Sequence, residues 1–193
     1  MRRATAFVVG ALALAACDKP AEPGASKEPA AASQAAGAKH ETTGAAAAPA
    51  DVAFEKPAAW QDAPSPSRMR KASWRVPKAD GDPEDAEVSV VQAGGTVDMN
   101  VERWEAQFEG KPKAKRTARD VNGLHVTIVE LRGTFTGSGM PGQAAGAPKP
   151  GWALVGAIVP TRTPTFIKMT GPEKTVEAAR HDFDALVGGL KPR

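Results

Sequence analysis

Residues 113–135 read KAKRTARDVNGLHVTIVELRGTF, and this stretch decides the fold. Asn122-Gly123 is a strong hairpin signal, because both central positions of a type I′ turn need positive φ and these two residues tolerate it best. The run that follows, Leu124 to Phe135, is the longest β-prone segment of the chain, dense in β-branched and apolar side chains. The stretch therefore predicts two antiparallel strands, 113–121 and 124–135, joined by a tight turn.

On the N-terminal side, Val97, Val101, Trp104 and Phe108 recur at steps of four, three and four, which is one face of a helix over 98–109. Gly110 and Pro112 stop it. Gly94-Gly95 separates that helix from a strand at 87–92 carrying Val88, Val90 and Val91. An acidic loop (80–87), a strand at 68–76 and a Pro-rich extended lead (54–66) precede it. On the C-terminal side a Gly/Pro-rich loop, 136–151, leads to strands at 152–160 and 165–170. Pro172 then opens a second helix whose apolar face is Val176, Ala179, Phe183, Leu186 or Val187, and Leu190. About six strands in a mainly antiparallel sheet, packed with two amphipathic helices, predict an α+β domain over 51–193.

The remainder of the 193 residues is of another kind. Arg2-Arg3 followed by the apolar run Ala4–Ala16 reads as a secretory signal over 1–17, and thirteen residues are too few to span a bilayer. Residues 18–50 hold 13 Ala, 4 Pro and 3 Gly but no Val, Ile, Leu, Met, Phe or Trp, so this segment reads as a disordered tether. The single cysteine, Cys17, excludes an intrachain disulfide and any Cys-based structural zinc site. Removing the signal lowers Lys+Arg to 23 against 22 Asp+Glu, so the formal charge of +3 belongs largely to the discarded peptide, and no nucleic-acid partner is expected.

Leu14-Ala15-Ala16-Cys17 resembles the lipobox of bacterial lipoproteins, which implies lipidation of Cys17 and a membrane anchor built from the attached acyl chains. Within the domain, Arg68-Met69-Arg70-Lys71-Ala72-Ser73-Trp74, Asn100-Val101-Glu102-Arg103-Trp104-Glu105-Ala106-Gln107 and Phe166-Ile167-Lys168-Met169-Thr170-Gly171-Pro172 resemble a family of uncharacterised bacterial envelope lipoproteins. The strand order resembles the PsbP-like fold of the photosystem II extrinsic protein, which implies a layered sandwich and transfers no chemistry. These resemblances imply a lipid-anchored protein of the bacterial cell envelope, its domain in the periplasm or at the cell surface, monomeric, with a possible envelope protein partner.

For chemistry the sequence offers two classes. The first is a noncatalytic binding or accessory domain without cofactor or metal. Asn100, Arg103 and Gln107 lie three and four apart beside the apolar stripe of helix one. With Lys168 they form the candidate interaction site. The second is a hydrolase or transferase whose active site lies under the 136–151 loop, over Lys168 and Arg103. A pocket of convergent polar groups favours the second class, whereas a sheet face fully capped by helix two disfavours it.

His40, His125 and His181 have no ligand partner at useful spacing, so no metal is expected of them. Asp80-Gly81-Asp82-Pro83-Glu84-Asp85 opens like a calcium loop, but Val91 occupies the twelfth position where a bidentate Glu is needed. Gly137-Ser138-Gly139 lacks the outer glycines of a nucleophile elbow. Lys111, Lys113, Lys115, Arg116 and Arg119 read either as a patch for anionic headgroups or an acidic partner, or as a charged edge strand guarded against aggregation.

Overall fold

A computed structural model describes residues 48–65, 67, 69–137 and 147–193. The signal segment with Cys17, the tether up to residue 47, Arg68 of the first motif and Ser138 of the long loop lie outside the described residues.

The domain is α+β, with a sheet that is antiparallel throughout. Six long strands form it: β3 (Arg70–Val76), β4 (Ala86–Gln92), β5 (Lys115–Val121), β6 (Leu124–Phe135), β7 (Lys149–Val159) and β8 (Thr165–Pro172). The two-residue β2 (Gln61–Asp62) adds a seventh at one edge, giving the order β2-β3-β4-β8-β7-β6-β5. β1 (Val52–Ala53) pairs with β9 (Lys191–Pro192) in a separate ribbon, and reciprocal bonds between the backbones of Asp51 and Arg193 extend it. The folded part also reaches slightly upstream of Asp51, since Arg162 N donates to the carbonyl of Pro49 (2.8 Å).

The predicted hairpin is in place: β5 and β6 pair from Lys115↔Glu130 to Val121↔Leu124, with Asn122 and Gly123 at φ 49° and 82°. β7 starts three residues earlier than its pattern indicates. A register shift between Gly133 and Phe135 brings Lys149 opposite Phe135 and extends the pairing outward.

Helix α1 (Val97–Glu105) is shorter than the 98–109 read from periodicity. Thr96 caps its start by accepting from Met99 N (3.2 Å). Its end is set from across the fold, because Glu109 N donates to Thr134 O (2.9 Å) and Thr136 N to Gln107 O (2.8 Å), which pulls 107–109 alongside the end of β6. The second predicted helix is two, α2 (Glu173–Ala178) and α3 (Arg180–Gly188), with a break at Ala179. Pro172 is still strand and precedes the helix as its cap residue instead of opening its first turn. The apolar face nevertheless stays continuous: Val176, Ala179, Phe183, Leu186, Val187 and Leu190 are all buried.

The sheet carries a core on each face. On one, α2 and α3 cover Val88, Val90, Val126, Ile128, Val155, Ile167 and Met169, while the lead adds Val52 and Trp60. On the other, α1 sets Val101 and Trp104, followed by Phe108, against Val129, Leu131, Leu154, Ile158 and Phe166. α1 covers the β5–β6–β7 side of this second face and leaves the remainder open.

Candidate functional site

Strand alternation builds the site. Ile167 and Met169 point into the α2/α3 core, so Phe166, Lys168 and Thr170 face the other way. On β4, Glu87 and Ser89 alternate likewise with Val88 and Val90, and on β3, Ser73 and Arg75 with Trp74 and Val76. The register aligns them in rows: Ser73, Ser89 and Lys168 lie side by side across three strands, and Arg75, Glu87 and Thr170 form the next row. Polar side chains on neighbouring strands of one open face produce a cleft of about 730 Å³.

One wall of the cleft comes from the segment after α1, the end of β6 and the start of β7. Phe135 and Trp152 stack at 5.1 Å and 11°, and Phe108 meets Phe135 edge-on at 5.4 Å. Lys149 Nζ lies 4.4 Å from the Trp152 ring centre. Gln107 is 5% exposed and is held by the backbone bonds that tie 107–109 to β6.

Three of the four cations lining the cleft are already paired. Arg70 pairs with Glu87, Arg75 with Asp85 (3.7 Å) and Lys149 with Glu84 (2.9 Å). Lys168 makes no ion pair among the described residues; its ammonium donates to Gln107 Oε1 (3.1 Å). Burial lowers its pKa from 10.5 to about 8; Glu87 pulls it back up and Arg70 adds to the lowering. Beside it, Thr170 Oγ1 is buried without a hydrogen-bond partner among the described residues.

The structure thus divides the four candidates named from sequence. Gln107 and Lys168, 61 positions apart, meet in the cleft. Asn100 and Arg103 do not line it. Asn100 is 3% exposed and its amide bridges backbone and side chain: Nδ2 donates to Thr96 O (2.8 Å) and Oδ1 accepts from Arg103 Nη1 (2.9 Å). Asn100 is therefore a structural tie at the start of α1, not part of an exposed polar face. Ser73, Ser89 and Thr170 belong to the cleft and were not singled out from sequence, although their alternation with apolar neighbours on three strands carried the signal.

Other candidate features resolve into structure. Asp82 of the acidic loop accepts from Thr175 N (2.8 Å) and Thr175 Oγ1 (2.5 Å), supplying from a distance the cap that α2 lacks locally. Among the described residues no group of three His, Cys, Asp or Glu is placed to hold a metal ion. β5 is the sheet edge, and its cations are matched: Lys115 with Glu130, Arg116 with Asp98 and Arg119 with Asp184, while Lys113 pairs with Glu105. That pattern supports the guarded-edge reading. Among the described residues no helix is long and apolar enough to cross a membrane.

No family model matches the chain, and neither does any curated protein. Solved structures do resemble it. A protein of unknown function from Pseudomonas aeruginosa is similar at 13% identity and a TM-score of 0.47, over 74% of this chain and 97% of that one. The cyanobacterial PsbP of Synechocystis is similar at 12% identity and a TM-score of 0.42, over 75% of this chain and 94% of that one. A protein from Bacteroides thetaiotaomicron matches at 12% identity and a TM-score of 0.38, over 74% of this chain and 45% of its own. The likeness is one of fold. It carries no activity to this chain.

Proposed function

We propose that the chain is a lipid-anchored lipoprotein of the bacterial cell envelope, whose domain captures a ligand in the open half of its sheet. The location rests on Arg2-Arg3, the apolar run and the Leu14-Ala15-Ala16-Cys17 ending, with 18–50 as the tether. The binding role rests on one observation: the cleft retains a cation, Lys168, that forms no ion pair with a carboxylate of the described residues. The volume of the cleft, about 730 Å³, falls in the 300–1,000 Å³ range of small-molecule sites, and its lining is more polar than is usual for them.

Two measurements test this. Cys17→Ser should release the protein from the membrane fraction, and continued membrane association of that variant removes the anchor from the proposal. Native mass spectrometry of the protein extracted from its own membranes in mild detergent should show a small-molecule adduct that Lys168→Met reduces. An adduct-free wild type, together with no shift in melting on adding a total metabolite extract, overturns the binding role.

A hydrolase or transferase is the second reading, favoured by the convergence of polar groups in the cleft and by one pairing within it. Ser89 lies directly opposite Lys168 on the neighbouring strand, and a lysine with a pKa of about 8 suits a general base near neutral pH. Covalent labelling of Ser89 by a fluorophosphonate, lost in Lys168→Met, would move the assignment to catalysis.

A further inference from the structure

Resting on the binding role above, we infer that the cleft over β3, β4 and β8 takes the carboxylate of a small monoanionic ligand, with Lys168 Nζ and Thr170 Oγ1 as its donors and the Phe135–Trp152 stack as the wall for its apolar part. Charge is the first ground. Among the described residues four cations and three carboxylates line the cleft, each carboxylate is engaged by an arginine or lysine, and one positive charge is left over. A monoanion brings the cleft to neutrality, whereas a phosphate dianion would overshoot it.

The second ground is the unsatisfied hydroxyl. Among the described residues Thr170 Oγ1 is buried without a partner, and a buried hydroxyl left this way is uncommon in folded proteins. It lies two residues from Lys168 on the same side of β8, a spacing of about 7 Å between their backbones. Thr170 lines the cleft, and its Oγ1 is enclosed in this conformation, so a carboxylate held on Lys168 Nζ accepts from it once a turn about χ1 brings the hydroxyl to the cleft. Gln107 Oε1, which now accepts from Lys168, holds the ammonium inside the cleft without cancelling its charge.

The third ground is the asymmetry of the lining. The aromatic wall is set by backbone pairing of Phe135 with Lys149 and by the Phe135–Trp152 stack, with the Lys149 ammonium over the Trp152 ring, so a fixed aromatic surface edged by a paired cation lies at one end of the polar rows. A ligand with a charged head and a short apolar or aromatic body matches both ends.

The test uses isothermal titration of the full-length detergent-solubilised protein with three probes that share one body: phenylacetate, phenylacetamide and phenyl phosphate. Phenylacetate should bind, and the neutral amide should bind at least tenfold more weakly. Losing a charge-assisted hydrogen bond should cost Lys168→Met about tenfold or more in affinity for phenylacetate. Thr170→Val, which keeps the shape and removes the hydroxyl, should lose about two- to tenfold. Near-UV circular dichroism checks that both variants are folded, and Thr170→Val carries the test if Lys168→Met is not.

Proton linkage gives a second readout. The groups facing Lys168 are Gln107 from the end of α1, Glu87 on β4 and Arg70 on β3, and a bound carboxylate adds a negative charge to that set. Binding near pH 8.5 should therefore take up protons, seen as a binding enthalpy that changes with the ionisation heat of the buffer. Equal binding of the amide and the carboxylate, with no effect of either variant, overturns the carboxylate assignment while leaving the cleft a ligand site. Tenfold tighter binding of phenyl phosphate overturns it in favour of a phosphate. If none of the three probes binds and no adduct accompanies the extracted protein, the carboxylate assignment and the binding role fall together.

Discussion

Trp104 lies directly over the backbone of Gly156: a Cβ built at residue 156 would fall 2.2 Å from Cζ3 and 2.6 Å from Cη2 of the indole. Glycine is thus required in the centre of β7 by close approach, even though its strand neighbours are large and apolar. The same ring meets Phe166 edge-on at 6.1 Å and is only 6% exposed, so α1 is fastened to the sheet chiefly through it. Trp104→Ala should destabilise by about 3–5 kcal/mol. Gly156→Ala should cost about 1–3 kcal/mol through overpacking. In the double variant the new methyl occupies space the indole vacated, so the combined loss in urea denaturation should be smaller than the sum of the two.

Glu105 is the buried acid that closes the C-terminal end of α1. Its side chain is 5% exposed, Oε1 accepts from Ala114 N (3.0 Å) and Oε2 from Lys113 Nζ (3.1 Å). The Ala114 amide, above all, holds its pKa below the ordinary 4.5, with Lys113 adding to the effect against the opposing cost of burial. A depressed carboxylate contributes stability that is present above the unfolded pKa and is lost as pH falls through the folded one. Glu105→Gln should therefore lower stability at pH 7 by about 1–3 kcal/mol. The gap between variant and wild type should narrow below pH 4.5 in denaturation curves taken at descending pH.

What the sequence disclosed was what neighbours in the chain determine. The Asn122-Gly123 turn, the β-branched run of β4 and the 3.6-residue stripes of the helices are local patterns, and each sits where the pattern put it. What it concealed was decided across the sheet. α1 ends at Glu105 because 107–109 bond to the end of β6, and Ala179 breaks the second helix with neither Gly nor Pro to announce it. The β1–β9 ribbon joins the two ends of the domain, a pairing that strands of two residues cannot signal. The candidate site shows the same division. Gln107 and Lys168 stood out as polar residues in distinctive motifs, but Thr170 and Ser89 gain their importance only from the register that sets β3, β4 and β8 side by side.

Asn100 and Arg103 separate a structural role from a surface one. Asn100→Ala removes the bond to Thr96 O at the first turn of α1 and should cost about 1–2 kcal/mol. Arg103 is exposed and its single side-chain bond among the described residues is to Asn100, so Arg103→Ala should shift stability by no more than about 0.5 kcal/mol. Thermal melts of the two variants side by side check this, and an Arg103→Ala loss as large as that of Asn100→Ala would make the arginine part of the cap.

Lys168 should make the domain more stable in mild alkali. Its folded pKa is about 8 against 10.5 when free in solution, because burial disfavours the ammonium. Below pH 8 both states carry the proton, and the folded state bears the full cost of the enclosed charge. Between pH 8 and 10.5 the unfolded chain holds a proton that the folded one has released, so stability rises with pH, by at most about 1.4 kcal/mol per unit. Contact with the cleft solvent reduces the total, and a gain of about 1–3 kcal/mol is expected across the window. Lys168→Met should abolish this rise and should equal or exceed the wild type in stability at pH 7, measured by urea denaturation from pH 7 to 10. Removal of a lysine that stabilised the fold would do the opposite at pH 7. A gain on its removal means that the fold tolerates a cost at this position, which is the behaviour expected of a group kept for what it binds.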